Sequence, residues 1–317
     1  MQRRDFLKGS AAFSAIGTVV SAVAGEEDSA LPVVYFTKTI TPEKLIDMYK
    51  VLNRPLAGKV AVKIHSGEPG GHHFIQPDFM KPLVDLLSGT IVECNTAYPG
   101  RRDTTAEHEK VMAEHGFTKI AMVDIMDAEG ELELPVQGGK RLKVNRVGSH
   151  ITRYDSMLIL SHFKGHLMGG FGGALKNMSI GVASSQGKKL IHGAGDPNVF
   201  WDCEQDKFLE AMADADRSVA DYFGENIAYI NIMKDLSIDC DCDSNPHPPV
   251  MSDVGILASL DPVALDQACV DLVYASKEPR KDELIERMEG RHAVHILEAA
   301  EELGLGSREY SLREMEI

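Results

Sequence analysis

The chain has 317 residues, with 48 acidic against 33 basic side chains and a formal charge of −15. Such an acidic balance excludes nucleic acid and anionic membrane surfaces as partners, because both need a basic footprint. A chain of this length buries a full core, as one large α/β domain or as two lobes at 30–150 and 151–317.

Residues 1–24 read as a signal peptide. Arg3 and Arg4 lead into Asp5-Phe6-Leu7-Lys8, a short apolar run from Ala11 to Val23, and an A-x-A cleavage site at Ala22-Val23-Ala24. The paired arginines followed by Phe-Leu-Lys resemble the twin-arginine signal, with Gln2 where Ser or Thr is usual. That resemblance implies the twin-arginine export machinery as a partner, and a protein folded before export, often with its cofactor. The other reading is an ordinary secretory signal or an uncleaved anchor, although the run is too short to span comfortably. Cleavage removes three basic residues and one acidic one, a net +2, so the mature charge moves from −15 to about −17. No later stretch is long and apolar enough to span a bilayer. The expected location is the periplasm, with no stable membrane insertion after cleavage.

Strand-like and helix-like patterns then alternate. Leu31–Phe36 reads as a strand, and Pro42–Leu52 as a helix with Thr41 as N-cap and Pro42 in its first position. The run from Lys59 to Ile64 is a strand. Pro77–Leu87 is a helix in which Pro82 predicts a kink or a late start. Thr90–Glu93 is a strand, Thr104–His115 a helix closed by Gly116, and Lys119–Ile125 a strand. Short alternating runs between Glu131 and Val147 predict an antiparallel hairpin. Ser156–Leu160 is a buried strand, Glu204–Phe223 an amphipathic helix, and Ile227–Met233 and Val254–Ala258 are strands. Asp261–Tyr274 is a helix capped by Asp261, and a helical pair over Lys281–Gly290 and Ala293–Leu303 closes the chain. This alternation predicts an α/β fold, a mainly parallel sheet flanked by helices on both faces. Ligands in such sheets collect at the carboxyl ends of the strands.

Four polar loops follow strands, at 65–76, 94–103, 161–176 and 235–249, and parallel strands would bring them to one edge. The first carries three glycines, His65, two further histidines and Glu68. The second places Arg101 beside Arg102, a pair suited to an anionic group or to a solvated loop tip. The third is the densest: His162, Lys164 and His166, then Gly172, Gly173 and Lys176, with His192 beyond a polar turn. On a helix, His162 and His166 would share a face as metal ligands or an acid/base pair. Backbone N–H groups at the glycine turn could hold an anion, with Lys176 adding charge. The fourth loop carries Asp239, Cys240, Asp241, Cys242, Asp243 and His247. On a strand the cysteines would share one face, and with His247 could bind a soft metal; otherwise the aspartates cap a turn. Five cysteines without a CxxC lack the spacing of an iron–sulfur ferredoxin, and Cys269 lies in an apolar helical pattern.

The segment LSHFKGHLMGGFGGALKNMSIGVAS, and SDVGILASLDPVALDQ after the CDC turn, resemble the domain of unknown function 362 family. The resemblance covers nearly all of the mature chain, from KVAVKIHSGEPG to DPVALDQACVDLV. Many relatives carry a ferredoxin-like insert after the segment matching Gly195–Cys203. This chain runs directly into a helix there, so an iron–sulfur cluster is not expected. Gly170–Lys176 is also similar, at a distance, to the glycine-rich segment of lactate racemases, which tether a nickel-pincer nucleotide to a lysine. That likeness implies Lys176 as a tether, His166 as an acid/base group and His192 as a metal ligand. Where the racemases place their second catalytic histidine, this chain has Tyr98, Arg101 and Arg102, which puts a two-histidine proton shuttle in doubt.

The resulting expectation is an exported enzyme, an isomerase or oxidoreductase acting on a small anionic organic molecule with a divalent metal or nickel-type cofactor. His162, Lys164, His166 and Lys176 would be the catalytic groups. Gly172, Gly173, Lys176, His65, Arg101 and Arg102 would hold the cofactor or anion, and His166, His192, Cys240 and Cys242 would ligate metal. The competing expectation is a periplasmic protein that binds a metal or anion without turnover.

Overall fold

A computed structural model describes residues 31–200 and 202–315. The expected signal segment at 1–24 lies outside the described residues. The described chain runs β1 (Val33–Thr37), α1 (Pro42–Val51), β2 (Val60–Lys63), α2 (Pro77–Leu87), β3 (Thr90–Glu93), α3 (Thr105–Glu114) and β4 (Val123–Ile125). A hairpin follows, β5 (Glu131–Pro135) and β6 (Val144–Gly148), then β7 (Ser156–His162). The glycine-rich stretch folds as a second hairpin, β8 (Lys164–His166) and β9 (Gly170–Gly172), followed by α4 (Ala174–Val182) and α5 (Ser185–His192). The remainder is α6 (Gln205–Phe223), β10 (Ile227–Met233), β11 (Gly255–Ser259), α7 (Pro262–Ala275), α8 (Lys281–Gly290), α9 (His295–Glu302) and β12 (Ser311–Glu314).

Eight strands form one sheet in the order β12-β1-β11-β10-β7-β2-β3-β4, drawn from both halves of the chain. From β10 to β4 every pairing is parallel, and only β11 runs antiparallel to both of its neighbours. The mainly parallel α/β sheet expected from the sequence is therefore the fold. Its central strands are buried along their whole length, which only helices covering both faces allow. The pleat divides them: Met157 and Ile159 of β7 enter one core with α4, α6, α7 and α9. Leu158 and Leu160 enter the other, with α1 and α2.

Local chemistry sets the helix ends as the sequence predicted. Thr41 accepts the Lys44 N–H at 3.3 Å and Asp261 the Ala264 N–H at 2.9 Å, each before a first-turn proline. Gly116 closes α3 at φ +90°, a left-handed conformation open to glycine. Other expectations need correction. Helix α2 starts at Pro77 and continues through Pro82, with no late start. The strand expected over 119–125 shrinks to Val123–Ile125, because Phe117–Lys119 forms a 3-10 turn directly after Gly116. His162 and His166 end two strands and do not share a helix face.

Candidate active-site cavity

Because β2, β3, β7 and β10 are parallel neighbours, their carboxyl ends deliver the four polar loops to one place. They enclose a cavity of about 290 Å³. A larger, open depression over Thr118–Val123 carries Glu109 and Lys119 but none of the candidate residues.

The cavity floor is a closed network of buried charge. Lys63 ends β2 and donates to Glu93 Oε2 at 2.7 Å and Asn177 Oδ1 at 3.0 Å. Gly181 on α4 leaves room for it, since a Cβ there would lie 2.6 Å from Lys63 Nζ. Glu93 ends β3 and also accepts the Ser66 N–H at 2.8 Å. Burial opposes its ionisation, yet Lys63, His65 and Arg102 hold its carboxyl well below the usual range. Arg102 is buried and donates twice to Glu68 Oε1, at 2.6 and 2.9 Å, with Tyr98 on the same oxygen at 2.7 Å. Arg101, its neighbour in sequence, points away into solvent and forms a fork with Glu114 at 2.7 Å. Of the two arginines expected to hold an anion, only Arg102 reaches the cavity, and Glu68 is already its partner.

A second closed cluster lies under the β8–β9 hairpin. Asp241 accepts from His162 Nδ1 at 2.9 Å and from Lys164 Nζ at 2.5 Å. Burial disfavours its charge, but His162 and Lys164 overcome this and hold the carboxyl far below its ordinary range. The other ring nitrogen of His162 faces the Lys234 carbonyl, so both nitrogens of that ring are engaged. Gly165 permits the arrangement, for a Cβ there would collide with the Ile238 carbonyl at 2.3 Å. His162 and Lys164 thus clamp the 235–249 loop onto the hairpin.

The open side of the cavity is chemically different. Lys176, on the first turn of α4, has no hydrogen-bond or ion-pair partner among the described residues, although it lines the cavity. Gly172 lies against its stem, where an added Cβ would be in ordinary contact with Lys176 Cδ at 3.4 Å. Lys188 on α5 also lines the cavity, and its amine donates only to the Ala183 carbonyl, at 2.6 Å. The anion expected at the α4 N-terminus is the chain's own: Asp266 accepts the Ala174 and Leu175 N–H groups at 2.8 and 3.0 Å. Gly173 is the residue that lets Asp266 approach, since a Cβ there would sit 2.4 Å from its carboxylate.

Cys240, Cys242 and His166 bring ligand atoms within 4.8 Å of one another. The CDC segment is a turn and not a strand: Asp243 N–H bonds to the Cys240 carbonyl at 2.9 Å, and Cys240 Sγ accepts the Cys242 N–H at 3.2 Å. His247, the nitrogen expected beside the thiols, instead pairs with Asp239 at 2.6 Å on the exposed side. Burial resists ionisation of Cys240, but the hydrogen bond from Cys242, together with Lys176 and His166, pulls its thiol well below normal. Cys242 moves up in return, chiefly because it donates to Cys240. The two thiols therefore shift in opposite directions, Cys240 toward the thiolate and Cys242 away from it.

The histidines differ in what they offer. Burial, reinforced by Lys176, lowers His166 to about 4, so it is neutral at pH 7. Its Nδ1 accepts the Met168 and Gly169 N–H groups at 3.2 and 2.8 Å, which places the neutral ring's proton on Nε2. His192 has the opposite arrangement. Its Nδ1 faces the Lys188 carbonyl at 2.7 Å, which leaves the Nε2 lone pair available. Phe208 and Phe200 hold the ring, with centroids 4.9 and 4.8 Å away, and burial lowers its pKa to about 3. A hydrogen bond that fixes Nδ1–H in this way is the usual support for a metal-ligating imidazole. His65 also lines the cavity, lowered to about 3 by burial and by Arg102. Two sulfurs and the His166 imidazole are a donor set that suits a soft divalent ion, whereas His192, although in the ligating tautomer, is not part of that group.

Residues the sequence reading passed over complete the site. Lys63 and Glu93 are the last residues of β2 and β3, charged groups closing apolar runs, and that position at a parallel strand's carboxyl end was the available signal. Lys188 lay in a segment read as a polar turn, which is helix α5. Asp241 was one aspartate among three.

The family described as Domain of unknown function (DUF362) matches residues 60–271. Lactate racemase apoprotein from Thermoanaerobacterium thermosaccharolyticum is similar at a TM-score of 0.43 and 13% identity, over 75% of this chain and 56% of that one. A protein from Thermotoga maritima gives a TM-score of 0.42 and 13% identity, over 73% of this chain and 58% of that one. The chain thus spans less than two thirds of either structure. No curated protein matches it.

Proposed function

The chain belongs to the DUF362 family, and from that premise we propose that it is an exported enzyme acting on a small anionic organic molecule. The reaction would be of isomerase or oxidoreductase type. The observation that carries this reading is the pairing state of the lysines. Lys63, Arg102 and Lys164 are neutralised by Glu93, Glu68 and Asp241, whereas Lys176 and Lys188 face the same cavity with no carboxylate partner among the described residues. Two ammonium groups without a carboxylate partner, set against one cysteine drawn toward its thiolate, leave the cavity a positive surplus that attracts an anion, and a volume of about 290 Å³ suits a small one.

The chemistry would fall to Cys240, Cys242 and His166. A thiolate beside a neutral imidazole whose Nε2–H faces it can accept or return a proton near neutral pH. Cys240, Cys242 and His166, whose ligand atoms lie within 4.8 Å of one another, are the residues that would hold a soft divalent ion once the ring proton leaves Nε2, and the ion when bound would polarise a substrate oxygen or carry electrons. Lys176 and Lys188 would orient the anion, and the buried floor would exclude water.

The test is a thermal-shift and calorimetric screen of C2 to C5 hydroxy- and oxo-carboxylates against the natively purified protein. Losing one charge-assisted hydrogen bond at about 1.5–3 kcal/mol predicts that Lys176→Met weakens binding by roughly tenfold to a hundredfold. Lys188→Met should act in the same direction. Equal affinity in both variants would overturn the reading. A binding protein without turnover is the second reading, favoured by the number of site groups already paired internally. His166→Gln separates the two, since an enzyme would keep the ligand and lose turnover.

A further inference from the structure

Away from the cavity, the turn between α8 and α9 meets the start of α6. Asp206 lies in the first turn of α6, His292 in the turn, and His295 opens α9. One ligand atom from each lies within 4.8 Å of the others. We propose that these three residues bind one divalent transition-metal ion of the zinc class, at a site that shares no residue with the cavity.

Three features distinguish this cluster from an ordinary surface network. His295 Nδ1 faces Glu298 Oε2 at 3.1 Å, so the ring's proton is drawn to Nδ1 and the lone pair falls on Nε2. That Nε2 is buried and makes no well-formed hydrogen bond among the described residues, its contact with Glu210 Oε1 being long at 3.5 Å. A buried acceptor left unused is costly, and an ion would satisfy it. The His292 and His295 rings stack at 5.2 Å and 9°, presenting both imidazoles to the same side. His292 holds this position at φ +49°, a left-handed conformation that most side chains avoid.

Negative charge surrounds the three. Asp206 Oδ1 lies 2.6 Å from His292 Nδ1, a hydrogen bond that the ion would replace, and Glu210 Oε1 lies 3.5 Å from His295 Nε2. Arg141 occupies the other oxygen of Glu210 at 2.6 Å, and Lys140 stands 3.7 Å from Oε1, so Glu210 supplies field more than ligation. Two imidazoles and a carboxylate with an open position form a zinc-type donor set. Tetrahedral bonds of about 2.0–2.1 Å space ligands about 3.3 Å apart, so the side chains would draw together on binding.

The ion would join α6 to the α8–α9 turn, and both reach the cavity rim. Gln205, beside Asp206, donates to the Met168 carbonyl at 2.9 Å. Gly170 packs so closely on the turn that a Cβ there would lie 2.4 Å from Ala293 Cβ. Occupancy would therefore brace the loop that follows His166.

The test is zinc titration by calorimetry of chelator-stripped protein carrying Cys240→Ser and Cys242→Ser, which silences the cavity thiols. One zinc equivalent is expected, with a rise in melting temperature. Adding His292→Asn should remove that equivalent or weaken it at least a hundredfold, because asparagine tolerates the left-handed backbone but lacks the imidazole. Asp206→Asn, on the other element, should weaken it too. Zinc uptake unchanged in both variants, or absent from the thiol-free parent, would overturn the site.

Discussion

The cavity has two sides built from the same residue types. On the floor, Lys63, Glu93, Arg102, Glu68, Lys164, Asp241 and His162 are mutually paired and buried. On the open side, Lys176 and Lys188 have no carboxylate, and Cys240 is drawn toward a thiolate. On the proposed function, surplus of charge and not its density would mark the working part of the site. The floor gives the open side its geometry: Asp241 anchors the loop that carries Cys240, and Lys63 holds α4, which carries Lys176, through Asn177.

The strongest way to break this comparison is at the floor. Glu93→Gln strands a buried Lys63 and should cost about 3–5 kcal/mol in chemical denaturation. A loss below about 1 kcal/mol would mean the floor is not structural. The pH dependence comes next. His65, His108 and His192 are lowered to about 3 and His166 to about 4, all chiefly by burial, from an unfolded value of 6.5. Below that value the unfolded chain binds protons these rings refuse, so stability should fall as the pH drops from 6.5 toward 4. Each ring can contribute up to about 1.4 kcal/mol per pH unit. Asp266, raised to about 6 mainly by burial, works in the opposite direction below pH 6, as do Asp216 and Asp261, also raised mainly by burial, so three carboxyls partly offset the four rings. A urea midpoint that is flat between pH 7 and 5 would contradict the burial of these rings.

On the open side, iodoacetamide should label Cys240 at a lower pH than an ordinary thiol, whose range lies near 8.5. Cys94, buried and raised, should resist. Lys176→Met should shift the labelling profile of Cys240 to higher pH, and an unchanged profile would remove Lys176 from the thiolate's surroundings. The smallest effect is expected at Arg101→Ala. Its fork with Glu114 is exposed, so neither the denaturation midpoint nor carboxylate binding should change measurably.

Much of this was legible in advance, and the reasons differ by region. Alternating apolar and amphipathic runs with Thr41, Asp261 and Gly116 at helix ends identified the α/β sheet, because those signals are local. The convergence of four strand-end loops followed from parallel pairing. Pairing partners did not follow, since Glu68 with Arg102 and Lys164 with Asp241 are contacts between distant segments. Arg101 and Arg102 look equivalent in sequence, and only the turn of the backbone sends one inward. The CDC motif read as a strand would have put its thiols beside His247; the turn that forms puts them beside His166. The hairpin at Gly165–Gly170 was hidden because its strands are three residues each.

The place of β1 in the sheet has a consequence for synthesis. Its neighbours are β11 and β12, so residues 33–37 meet no strand partner before residues 255–259 are made. At about 5–20 residues per second, that delay is on the order of ten to forty seconds. Throughout it the apolar segment Val-Val-Tyr-Phe-Thr is an unpaired edge, the kind of surface that nascent chains aggregate through. Holding factors that recognise short extended apolar peptides should therefore bind the growing chain near residue 35 and release it when β11 arrives.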